Sequence, residues 1–399
     1  MLSTDAEVIV VGAGPAGSIA ARELATRGIS VLILEKETFP RYKVCGGGLT
    51  HKILTELPFS VEEVIENTIH SVRFSHKFST SFLRTSEKPF IYCTMRSKLD
   101  AFLLEKAVNA GTMVITGEQV TGIKQEPGFV EVITKKRNYT GKLVIGAEGA
   151  AGIIARSTGL SNDLAKGMAW EAEIDADMED IDTYAQTVFL DWGTFPGGYA
   201  WVFPKKDHFS IGVGGPASLS KYMMPYYHKF IASTGIRFKE TRSLRSWPIP
   251  VKVKKGRFHN DRVMITGDAA GLTDPMTGEG IYYAILSGKY AATTASDYLS
   301  GSNNTLQSYT DQVNDELMTE LLEANRIKYI FNTIPSKIHQ LVRDNDRVWN
   351  GFGKVLRGER NYNDVKAALG KWKWFWNLAV SISKWKLRLK EIQFKRRES

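Results

Sequence analysis

Gly12, Gly14 and Gly17 stand in GxGxxG spacing within AEVIVVGAGPAGSIAARELATRGISVLILEKE, residues 6–37, and Glu35 follows roughly 20 residues on. Each residue type has a physical use there. Gly12 makes the tight turn, Gly14 lets backbone approach a pyrophosphate, and Gly17 lets helix and strand pack closely. Ala16 and Gly17 open a helix whose dipole and unpaired N–H groups face the phosphates. Glu35 closes the next strand, where an acid can accept from a ribose hydroxyl. The chemistry indicated is dinucleotide binding, and the acid favours FAD or NAD over NADP. A second candidate cluster follows at RYKVCGGGLT, residues 41–50: Cys45, one of two cysteines in the chain, leads Gly46, Gly47 and Gly48.

The elements that must position these residues are legible. VIVVG is a β-branched apolar run, as in a strand buried on both faces. Strand, glycine turn, helix and strand follow in order, which predicts a Rossmann-type α/β unit. DRVMITGDAAGLTDPMTGEGIYYAILSGKYAA, residues 261–292, repeats a strand ending in Gly267-Asp268, then a loop, then Gly280-Ile281 and a helix of small residues. KLVIGAEGAAGIIAR, residues 142–156, is a third strand–turn–helix. TMRSKLDAFLLEKAVNAGTMVITG, residues 94–117, puts Arg96 and Asp100 at the start of a helix before another strand, expected to end near Val120.

Composition bounds the rest. The 399 residues suggest two domains, with 43% hydrophobic and 24% charged content typical of a globular protein. Two cysteines, Cys45 and Cys93, make no disulfide framework, so a reducing cytoplasm is expected. No CxxC or HExxH spacing is present, and no metal is expected. The N-terminus lacks the charged region and cleavage site of a signal peptide. No apolar run reaches the roughly 18–20 residues of a membrane span. The formal net charge is +9, and residues 371–399 alone carry nine Lys/Arg against two acidic residues. In that tail Trp374, Leu378, Ile382, Trp385, Leu389 and Ile392 fall in one helical stripe, with Lys373, Lys384 and Arg388 away from it. Trp and aliphatics on one side with Lys/Arg opposite is the pattern of a helix lying in a membrane interface. A helix packed on the protein with a solvated basic face is the alternative. No nucleic-acid partner is expected.

FPRYKVCGGGL, GGYAWVFPK (197–205) and PMTGEGI (275–281) together resemble the geranylgeranyl reductase family, within the aromatic-hydroxylase-type FAD superfamily, over about residues 5–300. The resemblance implies FAD as the cofactor. It implies a fold with a Rossmann-type FAD-binding domain, an inserted strand-rich substrate domain and a helical C-terminal region. The expected boundaries are 1–60, 90–165 and 255–300 for FAD, 60–90 and 166–254 for substrate, and 301–399 for the helical region.

The site residues carry over from the same likeness. Arg96 reaches the FAD phosphates or ribose, the Val120 backbone meets the adenine, and Asp268 binds the ribityl chain. Gly280 and Ile281 open a helix toward the flavin pyrimidine edge. Cys45, Gly46 and Gly48 border the flavin ring, the glycines letting backbone approach it. Tyr199, Trp201 and Phe203 alternate on one strand face as an aromatic wall, and Cys45, Tyr199 and Trp201 are the catalytic candidates. Two positions depart from the superfamily pattern: Glu148 stands where Asp is usual, and Gly152 where Ser is usual.

The implied activity is saturation of isolated C=C bonds in geranylgeranyl or other polyprenyl lipids or diphosphates. NAD(P)H or a ferredoxin-type protein would donate electrons, and 371–399 would touch a membrane surface. An FAD-dependent monooxygenase or halogenase is the alternative, and a flavoprotein without turnover a third. Gly271 stands where hydroxylases carry His after the GD pair, and Tyr199 where halogenases carry Trp; both favour the reductase.

Overall fold

A computed structural model describes residues 4–160, 162–367, 370 and 373–398. The chain divides into two compact units, the first Met1–Lys43, Arg96–Ala165 and Ile249–Leu322, the second Val44–Met95, Lys166–Pro248 and Glu323–Ser399.

The first unit is built on a parallel sheet. Ala6–Val11 lies at its centre, between Asn138–Gly146 and Val31–Leu34, with Val263–Ile265 and Met113–Ile115 outside them. Its β-branched strands are buried on both faces, because helices cover them. Helix Pro15–Ala25 buries Ala16, Ile19, Ala20 and Leu24. Small residues let helix Ile281–Leu299 approach it: a side chain on Gly288 would stand 2.5 Å from the Ala16 carbonyl oxygen. The strand expected to end near Val120 ends at Ile115; Val120 instead opens the strand Val120–Glu126, since Gly117 turns the chain at positive φ.

The second unit carries a seven-stranded sheet in the order Phe238–Lys252, Leu164–Ala176, Phe209–Pro216, Tyr199–Pro204, Thr187–Trp192, Ser71–His76 and Thr80–Thr85. A three-stranded sheet orders Gly48–Thr50, Ile91–Thr94 and Ile65–Ile69. Helix Met223–Thr234 packs on one face of the large sheet through Tyr226, Tyr227 and Phe230.

Helix Lys373–Glu398 closes this unit. It docks through Trp376, Ser383, Leu387 and Phe394, not through the apolar stripe read from the sequence. Trp376 Nε1 donates to Glu323 Oε2 at 3.1 Å, and Phe394 packs edge-on against Phe195 and Tyr222. Leu378, Ile382, Trp385, Leu389 and Ile392 point outward, with Trp385 61% and Leu378 58% exposed. The Trp374 side chain lies outside the described residues.

Candidate active site

The glycine fingerprint separates by function. Gly12 has φ +100°, and a side chain there would stand 2.5 Å from the Ala147 carbonyl oxygen; one on Gly17 would stand 1.9 Å from the Gly12 carbonyl oxygen. Both are demanded by the fold. Gly14 is not: the nearest atom to a side chain there is an Arg41 guanidinium nitrogen at 3.7 Å. The helix begins with Gly14 as its cap residue and Pro15 in its first turn, without a capping side chain. Open space, a guanidinium and an uncapped helix start suit a pyrophosphate. Glu35 is buried at the end of its strand; Ala13 N donates to its Oε2 at 2.7 Å and Glu37 N to its Oε1 at 3.0 Å. The acid is thereby fixed beside the turn, with acceptor capacity remaining on both oxygens.

Arg96 is a buried residue, not a surface ion-pair partner. It donates twice to Asp100, at 2.8 Å each, and Arg41 approaches the same carboxylate at 3.1 Å. One acid thus aligns two guanidinium groups. Arg41 was not singled out from sequence, although it lies in the quoted FPRYKVCGG segment. Asp268 sits at the start of the Ile281–Leu299 helix, where a side chain on Gly280 would stand 3.1 Å from Asp268 Oδ1. Lys43 lies 3.9 Å from Asp268 Oδ2. Ile281 is buried in the first turn and Val120 is buried at its strand start. Glu148 accepts from Ile153 N at 2.8 Å and Ile154 N at 3.1 Å, capping the short helix Ile153–Ser157. Its pKa is pushed up to about 7, by burial. A side chain on Gly152 would stand 3.1 Å from Glu148 Oε2. The two departures from the superfamily pattern are therefore one: the longer acid needs the missing side chain. The donors, acid and open cradle fit FAD.

In the second unit the segment after Val44 explains its three glycines. A side chain on Gly46 would stand 3.0 Å from the Phe203 ring and 3.1 Å from Trp201 Nε1; one on Gly48 would stand 2.9 Å from Phe203. Gly47 has φ +66°, and a side chain there would stand 2.0 Å from the Thr94 carbonyl oxygen. The bare backbone serves close packing on Trp201 and Phe203, a role the sequence reading gave to flavin approach alone. Lys205 pins the segment: fully buried, its Nζ donates to Gly46 O at 2.7 Å and Thr94 O at 2.9 Å. Nothing in its sequence context marks Lys205, since lysine is ordinarily a surface residue. Cys45 is partly buried and accepts from Gly47 N at 3.4 Å. Cys93 is fully buried, its thiol pushed up to about 12 by burial.

Tyr199, Trp201 and Phe203 share a sheet face as expected, with Tyr199 and Trp201 rings 5.5 Å apart. The Trp201 indole lies flat over Gly212 and Gly214 of the neighbouring strand; a side chain on Gly212 would stand 2.2 Å from it. Trp201 Nε1 is buried and has no hydrogen-bond partner among the described residues. Trp201, Tyr199 and Phe203 thus give the site an aromatic surface.

Comparison with known proteins bears on this arrangement. An FAD binding domain model matches residues 5–195, and a geranylgeranyl reductase catalytic domain model matches residues 170–247. An uncharacterized protein of Methanosarcina barkeri is 31% identical over 330 residues, 82% of this chain and 84% of that one. The digeranylgeranylglycerophospholipid reductase of Thermoplasma volcanium is 30% identical over 320 residues, 74% of this chain and 79% of that one. A geranylgeranyl bacteriochlorophyll reductase-like protein from Thermoplasma acidophilum superposes with a TM-score of 0.73 at 26% identity, covering 82% of this chain and 87% of that one. The chain belongs to the geranylgeranyl reductase family and is an FAD-dependent oxidoreductase.

Proposed function

We propose that the protein saturates isolated C=C bonds in the geranylgeranyl chain of an isoprenoid lipid or diphosphate. The observation that carries this reading is the aromatic face of Trp201, Tyr199 and Phe203 with the glycine segment held against it by Lys205. An unactivated alkene offers no carbonyl for hydrogen bonding, so shape and exclusion of water must position it. Bound and reduced by NAD(P)H or a ferredoxin-type donor, FAD would supply a hydride to one alkene carbon. The other carbon takes a proton from the protein side. In this reading the first unit holds the cofactor through Gly14, Glu35, Arg41, Arg96 and Asp268, and the second unit holds the chain.

A hydroxylase reading finds less support. Gly271, in the place of the hydroxylase His, has φ +73°, and a side chain there would stand 2.4 Å from the Leu164 side chain. The test uses purified protein with its FAD reduced anaerobically, mixed with geranylgeranyl diphosphate or geranylgeranylated lipid. The expected result is flavin reoxidation matched by a gain of two hydrogens per bond. Unchanged lipids, with oxygen or halogen inserted into an aromatic substrate in air, would move the protein to the monooxygenase–halogenase branch.

We further propose that helix Lys373–Glu398 seats the enzyme on an anionic lipid surface. Its outward stripe runs Leu378, Ile382, Trp385, Leu389 and Ile392, spaced to align on one face. Exposed Lys386 and Arg388 flank the stripe on opposite sides, where they can lie level with lipid headgroups. No helix among the described residues is long and apolar enough to cross a membrane. The double variant Trp385→Ser/Leu389→Ser is expected to bind phosphatidylglycerol vesicles roughly 10–100-fold more weakly, from the apolar area lost. Equal vesicle binding by variant and parent would remove the helix from this role.

A further inference from the structure

Beside Trp201, the aromatic face carries a set of buried acids that the sequence reading did not single out. Gly212 lies opposite Trp201 on one side and opposite Glu171 on the other. Directly opposed residues of an antiparallel sheet share a face, so Glu171 projects on the Trp201 side. The next residue on that face, Glu173, opposes Ser210. Glu171, Glu173, His208 and Ser210 are all buried. Ser210 Oγ donates to Glu171 Oε1 at 2.7 Å, while Glu171 Oε2 has no donor partner among the described residues. Glu173 lies within hydrogen-bonding reach of Glu171. His208 Nε2 meets Glu173 Oε2 at 3.0 Å, and His208 Nδ1 meets Asp207 Oδ1 at 2.6 Å. Asp207 is 61% exposed. The contacts thus run unbroken from solvent to the face that carries Trp201.

We propose that Asp207, His208, Glu173 and Glu171 form a proton relay, with Glu171 giving the proton that completes each alkene saturation. This rests on the reductase reading above. Each saturated bond gains one hydride and one proton. As the new C–H bond forms, the Glu171 O–H bond breaks and leaves a carboxylate. To refill it, His208 takes a proton at Nδ1 from solvent beside Asp207 and gives its Nε2 proton to the Glu173 carboxylate. Glu173 passes that proton to Glu171, and the imidazole returns to its Nε2–H form by exchange with solvent between turnovers. Two buried acids in contact cannot both stay ionised. Burial and then the charge of Glu173 push the Glu171 pKa up to about 8. Lys205 opposes that rise, while helix Met223–Thr234 packs on the other face of the sheet, against Ala172 and Val213. At the outer end Arg242 pairs with Asp175 and Asp207 and contacts His208 Nδ1. His208 and Arg242 together hold the Asp207 pKa down to about 2. Asp207 therefore stays an acceptor that fixes the imidazole, and Glu171 is the member that carries a proton at neutral pH.

The test uses Glu171→Gln, which keeps the shape and can still accept from Ser210. The first readout is infrared difference spectroscopy of the protein between about pH 6 and about pH 10. The parent should show a protonated carboxyl lost with a midpoint near 8, and Glu171→Gln should lack it, whether or not flavin is bound. The second readout is anaerobic reoxidation of reduced enzyme by geranylgeranyl diphosphate. The parent rate should fall as pH rises through about 8; in Glu171→Gln it should be at least roughly 100-fold lower and lose that limb. His208→Gln should give a normal first turnover and slow later ones, because only refilling is cut. A Glu171→Gln enzyme within about threefold of the parent, with the same pH profile, would overturn the relay while leaving the reductase intact. A parent that saturates no polyprenyl chain would overturn the reductase reading and the relay with it; the infrared band would still report the buried proton.

Discussion

Gly17→Ala is expected to purify without the flavin absorbance of the parent, with FAD affinity lowered at least roughly 100-fold. The methyl group would be built 1.9 Å from the Gly12 carbonyl oxygen and 3.2 Å from the Ala147 side chain. Neither neighbour is a flexible side-chain end that can swing away. Helix Pro15–Ala25 must move off its strand, and Gly288, seated against the Ala16 carbonyl, limits where it can go. Overpacking of this kind costs about 1–3 kcal/mol. The greater loss is geometric, since the displaced helix start no longer meets the pyrophosphate. Gly14→Ala separates the two effects. Beyond its chain neighbours, its methyl group would have Arg41 at 3.7 Å as the nearest contact among the described residues, so the apoprotein should melt as the parent does while FAD binds more weakly. Flavin absorbance per mole of protein and apoprotein melting measure both. Stoichiometric FAD in Gly17→Ala would show that the turn is looser than its contacts require.

This contrast also shows which parts of the site are legible in sequence. The cofactor unit is, because its constraints are local. A tight turn, a close helix–strand approach and an acid at a strand end each demand one residue type at fixed spacing. The second unit depends on contacts between segments far apart in the chain. Gly46 and Gly48 read as flavin-facing backbone because glycine reports only that a side chain is missing; the Trp201 and Phe203 rings that take its place lie over 150 residues on. Glu171 and Glu173 stand in WEAEIDAD as an ordinary alternating strand. Pairing with Gly212 and Ser210 turns that alternation into two buried acids on the aromatic face. The tail is a third case. Its helical period is visible, but an apolar stripe is equally compatible with facing inward. Trp376, Leu387 and Phe394 make a second apolar line on the same helix, and that line takes the protein side.

Lys205→Met is the substitution expected to disturb the second unit most. The ammonium is fully buried and holds the Gly46 and Thr94 carbonyls, neighbours across the join between the glycine segment and strand Ile91–Thr94. Methionine fills similar space but donates nothing. Two carbonyls are then left unpaired, at about 1–3 kcal/mol each, partly offset because one buried charge no longer needs compensation. At roughly 2–4 °C per kcal/mol for a protein of this size, melting should fall by about 5–15 °C. Gly46 loses its anchor beside Trp201, and alkene reduction should fall at least roughly 100-fold. The relay supplies a sharper readout. Lys205 favours the ionised form of Glu171, so its removal should move the alkaline limb of the rate profile upward from about 8 in whatever activity survives. Lys206→Met removes the same charge type one residue later from an exposed position and should change neither melting nor pH profile. A Lys205→Met protein that melts with the parent and keeps its pH limb in place would mean that the buried ammonium neither orders the glycine segment nor sets the charge balance of the acids.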